Sequence, residues 1–172
     1  MFLKRFKEKS IQKYYNSVLL APRSSIRAKK IESVGIILNY DEYNNYDQLR
    51  LIFKDIGLKD NRIKFIAFID SEENAPNSWD SFFCTKNFGW NGKITNIDLE
   101  QFMNANFDAL ISYYKEDHIE LNLITAKSKA NFKIGISNTD ERLYDFILNI
   151  DPQHIDVFHK ELVKYLKRLN KI

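Results

Sequence analysis

Nine carboxylates in this 172-residue sequence fall into four clusters: Asp41 with Glu42, Asp70 with Glu72 and Glu73, Glu116 with Asp117, and Asp140 with Glu141. Each cluster follows an apolar run with the character of a buried strand. Carboxylates converging at the carboxyl ends of neighbouring strands could hold Mg²⁺ together with a substrate phosphate, because open α/β sheets bind ligands at that edge. A plainer reading also accounts for them. Asp, Glu and Ser gather at helix starts, where free N–H groups and the positive end of the dipole favour them. No Asp-x-Asp spacing points to a metal, and neither metal nor cofactor is expected.

The other reactive residue types give less. Gly35, Gly57, Gly89, Gly92 and Gly135 form neither G-x-G-x-x-G nor G-x-x-x-x-G-K-[ST], which argues against a dinucleotide enzyme or a P-loop NTPase. Gly35 and Gly135 fall inside strand-like runs, where close backbone approach or a bulge is the ordinary reason for glycine. His154 and His159 are five residues apart on one helical segment, a poor spacing for shared ligation, and His118 sits at a helix start. Cys84, the only cysteine, allows no internal disulfide and lies among Phe82 and Phe83 as a small core thiol. No G-x-S-x-G elbow accompanies any serine.

Two stretches could bind rather than react. Residues 79–92 hold both tryptophans, Trp79 and Trp90, with Phe82, Phe83 and Phe88, and Lys86 and Lys93 lie nearby. Trp79, Phe83, Lys86, Trp90 and Lys93 could stack a base or sugar; equally, a long connection needs a small aromatic core of its own. The second stretch is the N-terminus. Residues 1–30 carry net charge +8, residues 31–159 carry −9, and residues 160–172 carry +4. Lys4, Arg5, Lys7, Lys9 and Lys13 could meet an anionic membrane surface, RNA or the acidic body itself. No DNA-binding motif and no apolar run of bilayer length is present.

These residues need a scaffold, and hydrophobic spacing supplies one. Ile11, Tyr14, Tyr15, Val18 and Leu19 mark a helix that Pro22 ends, and residues 23–32 read as an extended connector. Short apolar runs at 33–39, 63–69, 107–113, 132–136 and 143–150 read as strands covered on both faces. Helical spacing recurs at 46–56, 96–104 and 118–127. Asp151 and Pro152 suit the start of a last helix striped by Ile155, Phe158, Leu162, Leu166 and Leu169. The predicted fold is a three-layer α/β/α domain over 31–172 with a mostly parallel, Rossmann-like sheet of five strands. A basic amphipathic helix and connector over 1–30 precede it. The last two strands could pair as an antiparallel hairpin or be joined by a crossover. The predicted sheet core is Val34, Ile36, Ile37, Phe65, Ile66, Phe68, Leu110, Ile111, Ile134, Phe146 and Ile147. The N-terminal stripe is expected to dock on the domain, with the last helix as one seat.

Several passages carry a resemblance: Phe2-Leu3-Lys4, Asn77-Ser78-Trp79-Asp80, Phe88-Gly89-Trp90-Asn91-Gly92-Lys93 and Phe107-Asp108-Ala109-Leu110-Ile111-Ser112-Tyr113-Tyr114, with Ala130-Asn131-Phe132-Lys133-Ile134-Gly135 and Tyr144-Asp145-Phe146-Ile147-Leu148. They resemble an uncharacterised flavobacterial family known only as a domain of unknown function. That resemblance implies a cytoplasmic bacterial protein and no particular activity. Residues 107–111 and 130–135 are also similar to a strand–helix–strand passage in glycosyltransferases of the heptosyltransferase type. From these readings we expect a non-catalytic cytoplasmic module whose basic ends meet an anionic partner, membrane or RNA, with peripheral attachment at the inner membrane in the first case. The alternative is a small enzyme that binds a nucleotide or sugar nucleotide. A protein partner and any oligomeric state stay open.

Overall fold

The computed structural model describes residues 2–75, 81–137 and 139–172. Trp79 lies outside them. Among these residues five α-helices and six strands follow in the order α1 (Phe2–Leu20), β1 (Val34–Asn39), α2 (Tyr46–Asp55), β2 (Ile63–Phe68), β3 (Ser81–Phe83), α3 (Ile97–Asn104), β4 (Ala109–Tyr113), α4 (Ile119–Lys127), β5 (Phe132–Gly135), β6 (Phe146–Ile147) and α5 (Ile155–Arg168). All strands run parallel in the order β3-β2-β1-β4-β5-β6, so the direction of winding reverses between β1 and β4.

Alternate side chains of each strand enter two separate cores. On one face Val34, Ile36, Leu38, Phe65, Ile111 and Ile134 meet Leu49 and Phe53 of α2 and Phe158 and Leu162 of α5. On the other, Ile37, Ile66, Phe68 and Leu110 meet residues of α3 and α4, with Ile11 and Tyr15 of α1 over them. Nine of the eleven predicted core residues are buried. Phe146 and Ile147 are half-buried, because β6 is a two-residue edge strand.

Local chemistry explains the element ends. Asn45 accepts from the Gln48 N–H to start α2, and Asn96 accepts from Leu99 N–H to start α3. Gly57, at φ +97°, ends α2 in a Schellman turn, with Leu58 N–H on Phe53 O and Gly57 N–H on Lys54 O. The strand glycines are there for close approach. A Cβ on Gly35 would come 2.6 Å from the Phe107 ring, and one on Gly135 would come 2.6 Å from the Tyr144 ring.

Two expectations need correction and one open choice is resolved. The sheet has six strands, because Ser81–Phe83 inside the aromatic connection pairs with β2. Of the two routes left open for the 132–136 and 143–150 runs, the crossover is the one found: β5 and β6 pair in parallel, with a 3-10 turn at Glu141–Leu143 between them. The last helix begins at Ile155, because Asp151 Oδ1 accepts from Gln153 N–H and stabilises a separate turn before it.

The N-terminal stripe does dock, on a different seat from α5. Helix α1 packs on α4 and on the turn Trp90–Gly92, on the sheet face opposite α5. Asn91 and Gly92 both adopt positive φ there and flatten the turn. A Cβ on Gly92 would come 2.4 Å from the Tyr14 ring. Ser10 Oγ donates to Asn91 Oδ1 at 2.7 Å, and Tyr15 OH donates to Asp140 at 2.6 Å. Burying Ile11 and Tyr15 contributes about 2–3 kcal/mol each before entropy. With the sheet below and α1 above, α4 is buried from Glu120 to Thr125.

Candidate functional site

The reversal of winding between β1 and β4 opens a crevice at the carboxyl edge of the sheet, the usual ligand site of such sheets. Here the Glu42 carboxylate bridges it. Glu42, just past β1, accepts from the backbone N–H groups of Lys115 at 2.6 Å and Glu116 at 3.0 Å, beyond the end of β4. Asn39 Nδ2 donates to the same carboxylate at 3.0 Å. Successive N–H groups of this kind would otherwise cradle an anionic ligand.

Asp117 and Asp140 among the remaining strand-end carboxylates are engaged as well. Asp117 accepts from Asn122 Nδ2, and Asp140 accepts from Tyr15 and from two nitrogens of Arg142. The Arg142 hydrogen bonds hold the Asp140 carboxyl below the usual carboxylate range; burial opposes them and the Tyr15 hydroxyl assists. Asp41 and Asp70 are exposed. Among the described residues no group of three or more His, Cys, Asp or Glu side chains could hold a metal. His118 lies 3.2 Å from Glu116 with its ring against Phe68, and His159 lies 3.9 Å from Asp55. Cys84 is buried, its Sγ 3.8 Å from Glu72.

The aromatic stretch divides between core and surface. Phe83 is buried, edge-on to both Phe68 and Phe88. Trp90 is half exposed at 52%, and Lys86 and Lys93 are exposed. The turn that carries Trp90 is the seat of α1. The two unusual stretches of the sequence therefore meet, through contacts between residues far apart in the chain. Composition flagged both stretches, and nothing in it signalled that they pair.

The cations at the N-terminus split by role. In the connector, Arg23 pairs with Asp145 at 3.0 Å and Lys29 with Asp108 at 2.7 Å. Burial would raise the Asp108 carboxyl, but hydrogen bonds from Lys29, Glu32 N–H and Ser33 outweigh it and hold the group low. Lys30 reaches Asn170 and Ile172 at the chain end, and Ile31 N–H donates to Lys171 O. These cations meet the body of the protein itself. On α1, Lys4, Arg5, Lys9 and Lys13 are exposed and Lys7 is half-buried, with no ion pair among the described residues. Phe2, Leu3 and Phe6 beside them are 77%, 75% and 51% exposed, the Phe2 and Phe6 ring centroids 5.1 Å apart. At about 100° per residue, Phe2, Arg5, Phe6, Lys9 and Lys13 share one outward face, opposite Ile11 and Val18.

No helix among the described residues is long and apolar enough to cross a membrane. Neither a curated protein nor a solved structure matches the sequence. A family model does, over residues 7–169, spanning the docked part of α1, the whole sheet and all but the last residues of the chain: the protein belongs to the family of unknown function DUF6913.

Proposed function

We propose that this chain is a non-catalytic binding module that attaches peripherally to an anionic membrane surface through the N-terminal end of α1. The expected setting is the bacterial cytoplasm and the face of the inner membrane. The observation that carries this reading is the exposure of Phe2, Leu3 and Phe6 on a helix whose other half docks on the domain through Ile11 and Tyr15. Folding alone gives no reason to hold two phenylalanines and a leucine in water. Their surroundings do: Lys4, Arg5, Lys7, Lys9 and Lys13 are interleaved with them, the composition of a helix lying in a lipid interface. Each cation near an anionic leaflet contributes about 1 kcal/mol, and the rings would enter the boundary between headgroups and acyl chains.

The second reading, a small sugar-nucleotide-binding enzyme, draws support from the strand order, which is that of doubly wound dinucleotide-binding sheets and favours a Rossmann-like three-layer arrangement. Against it, the chain has no glycine-rich phosphate loop after β1, and Glu42 ties that turn to the backbone beyond β4.

Co-sedimentation of the full chain with phosphatidylcholine vesicles, with and without phosphatidylglycerol, tests the proposal. Binding is expected only to the anionic vesicles, weakening with salt yet persisting through the apolar contribution. Failure to bind anionic vesicles at low salt would overturn it. If single-stranded RNA is bound instead, with affinity falling steeply with salt and indifferent to Phe2 and Phe6, the basic arm serves nucleic acid.

A further inference from the structure

The connector crosses the amino-terminal edge of the sheet as a strap, and along it lies an open cleft of about 580 Å³ whose rim residues Arg23, Ser24, Ser25, Arg27 and Lys129 are exposed. Arg23, Arg27, Lys129 and Lys133 line it with the hydroxyls of Ser24 and Ser25, and no carboxylate is among the lining residues. The four cations are unequally engaged. Arg23 pairs with Asp145. Lys133, 3% exposed, donates to Thr125 O at 2.7 Å and Ala126 O at 3.0 Å, the last carbonyls of α4. An ammonium carries three N–H groups, so one is left over. The Arg27 guanidinium, the Lys129 ammonium and both serine hydroxyls have no hydrogen-bond or ion-pair partner among the described residues.

Arg27 is also held in place. Its N–H donates to Asn131 Oδ1 at 2.8 Å, and its carbonyl accepts from Asn131 Nδ2 at 3.0 Å. Lys171 Nζ reaches the same carbonyl at 3.3 Å. A clamped backbone lowers the entropic cost of using its side chain. Burial pushes the Lys133 ammonium down to about 8, Arg23 pushes the same way, and Asp145 opposes. The cleft thus gathers more positive charge than the protein neutralises.

We infer that this cleft is a binding site for a phosphoryl group, of free phosphate or of a phosphomonoester, gripped by Arg27 and Lys129 with Ser24 and Ser25 and backed by Lys133. The planar guanidinium suits two phosphate oxygens at once, the serine hydroxyls suit a third, and a dianion answers the excess of cations better than a carboxylate would. The site lies at the far end of α1 from the exposed phenylalanines and does not depend on the membrane reading.

Isotope-labelled full chain is titrated with inorganic phosphate at constant ionic strength, followed by amide shifts. Saturable shifts confined to residues 23–27 and 128–131 are expected, with affinity falling about tenfold in Arg27→Ala and again in Lys129→Ala. Neither substitution removes a side-chain hydrogen bond or ion pair among the described residues, and denaturant unfolding of both variants checks that the fold is kept. A Phe2→Ser/Phe6→Ser variant should bind phosphate as the parent does, which keeps this outcome separate from the membrane one. A second arm uses phosphatidylcholine vesicles doped with phosphatidic acid. Binding there that Arg27→Ala abolishes, without binding of free phosphate, assigns the phosphoryl group to a lipid headgroup. Two results would overturn the site: saturable phosphate binding unchanged in both variants, or no saturable phosphate binding together with vesicle binding indifferent to Arg27.

Discussion

The two halves of α1 solve different problems with the same helix. From Ser10 to Leu19 the helix turns Ile11, Tyr14, Tyr15, Val18 and Leu19 onto α4 and the Trp90–Gly92 turn, and the fold accounts for every large side chain in that stripe. From Phe2 to Lys9 the large apolar side chains face water and the cations have no described partner. Packing accounts for the first half and leaves the second unexplained. That contrast marks out the half assigned by the membrane proposal more sharply than charge alone, since both halves carry lysine.

The comparison can be broken most severely at the seat. Gly92→Val would drive a side chain into the Tyr14 ring and impose a positive φ on a β-branched residue. We expect a loss of about 3 kcal/mol in denaturant unfolding, from overpacking and backbone strain together. Ile11→Ala removes a fully buried side chain under the same helix and should cost about 2–4 kcal/mol by the same measurement.

Alkaline unfolding sharpens the contrast in another way. Burial raises the phenols of Tyr15, Tyr113, Tyr114 and Tyr144 above their ordinary value near 10. A folded-state value above the unfolded one means the stabilisation is complete below about pH 10 and is lost as pH climbs past it. The share of tyrosinate absorbance that belongs to these four phenols should therefore appear only together with loss of ellipticity. Ionisation of these four phenols ahead of unfolding would contradict their burial. A smaller effect is expected from Tyr15→Phe, which frees Asp140 of one hydrogen bond while Arg142 still holds it: about 1 kcal/mol.

Much of the scaffold was legible in the sequence, for reasons that also explain the misses. The runs of β1, β2 and β4 are mostly apolar because helices cover both faces, with the exposed Lys64 of β2 as an exception, and that pattern survives in the sequence without any knowledge of neighbours. Strand β3 hid because Ser81–Phe83 looks like part of an aromatic loop until β2 lies beside it. The start of α5 was misplaced because Asp-Pro suits both a helix start and a turn, and here it makes the turn. At the candidate sites the limit was distance along the chain. The exposed cations of α1 were visible as charge, but only the fold tells that the Phe2 and Phe6 rings stay outside. Equally, nothing local in Glu42 signals that it reaches the backbone of Lys115 and Glu116, and nothing in Arg27 signals Lys129.

The most direct test of the membrane proposal alters the outward half and leaves the seat intact. In Phe2→Ser/Phe6→Ser, both rings already face solvent, so thermal and denaturant stability should stay within about 0.5 kcal/mol of the parent. Partitioning onto phosphatidylglycerol-containing vesicles, measured on the same preparations, should fall at least about tenfold. Vesicle binding equal to that of the parent, or a stability loss as large as that of Ile11→Ala, would contradict the assignment of the N-terminal end of α1 to a lipid surface.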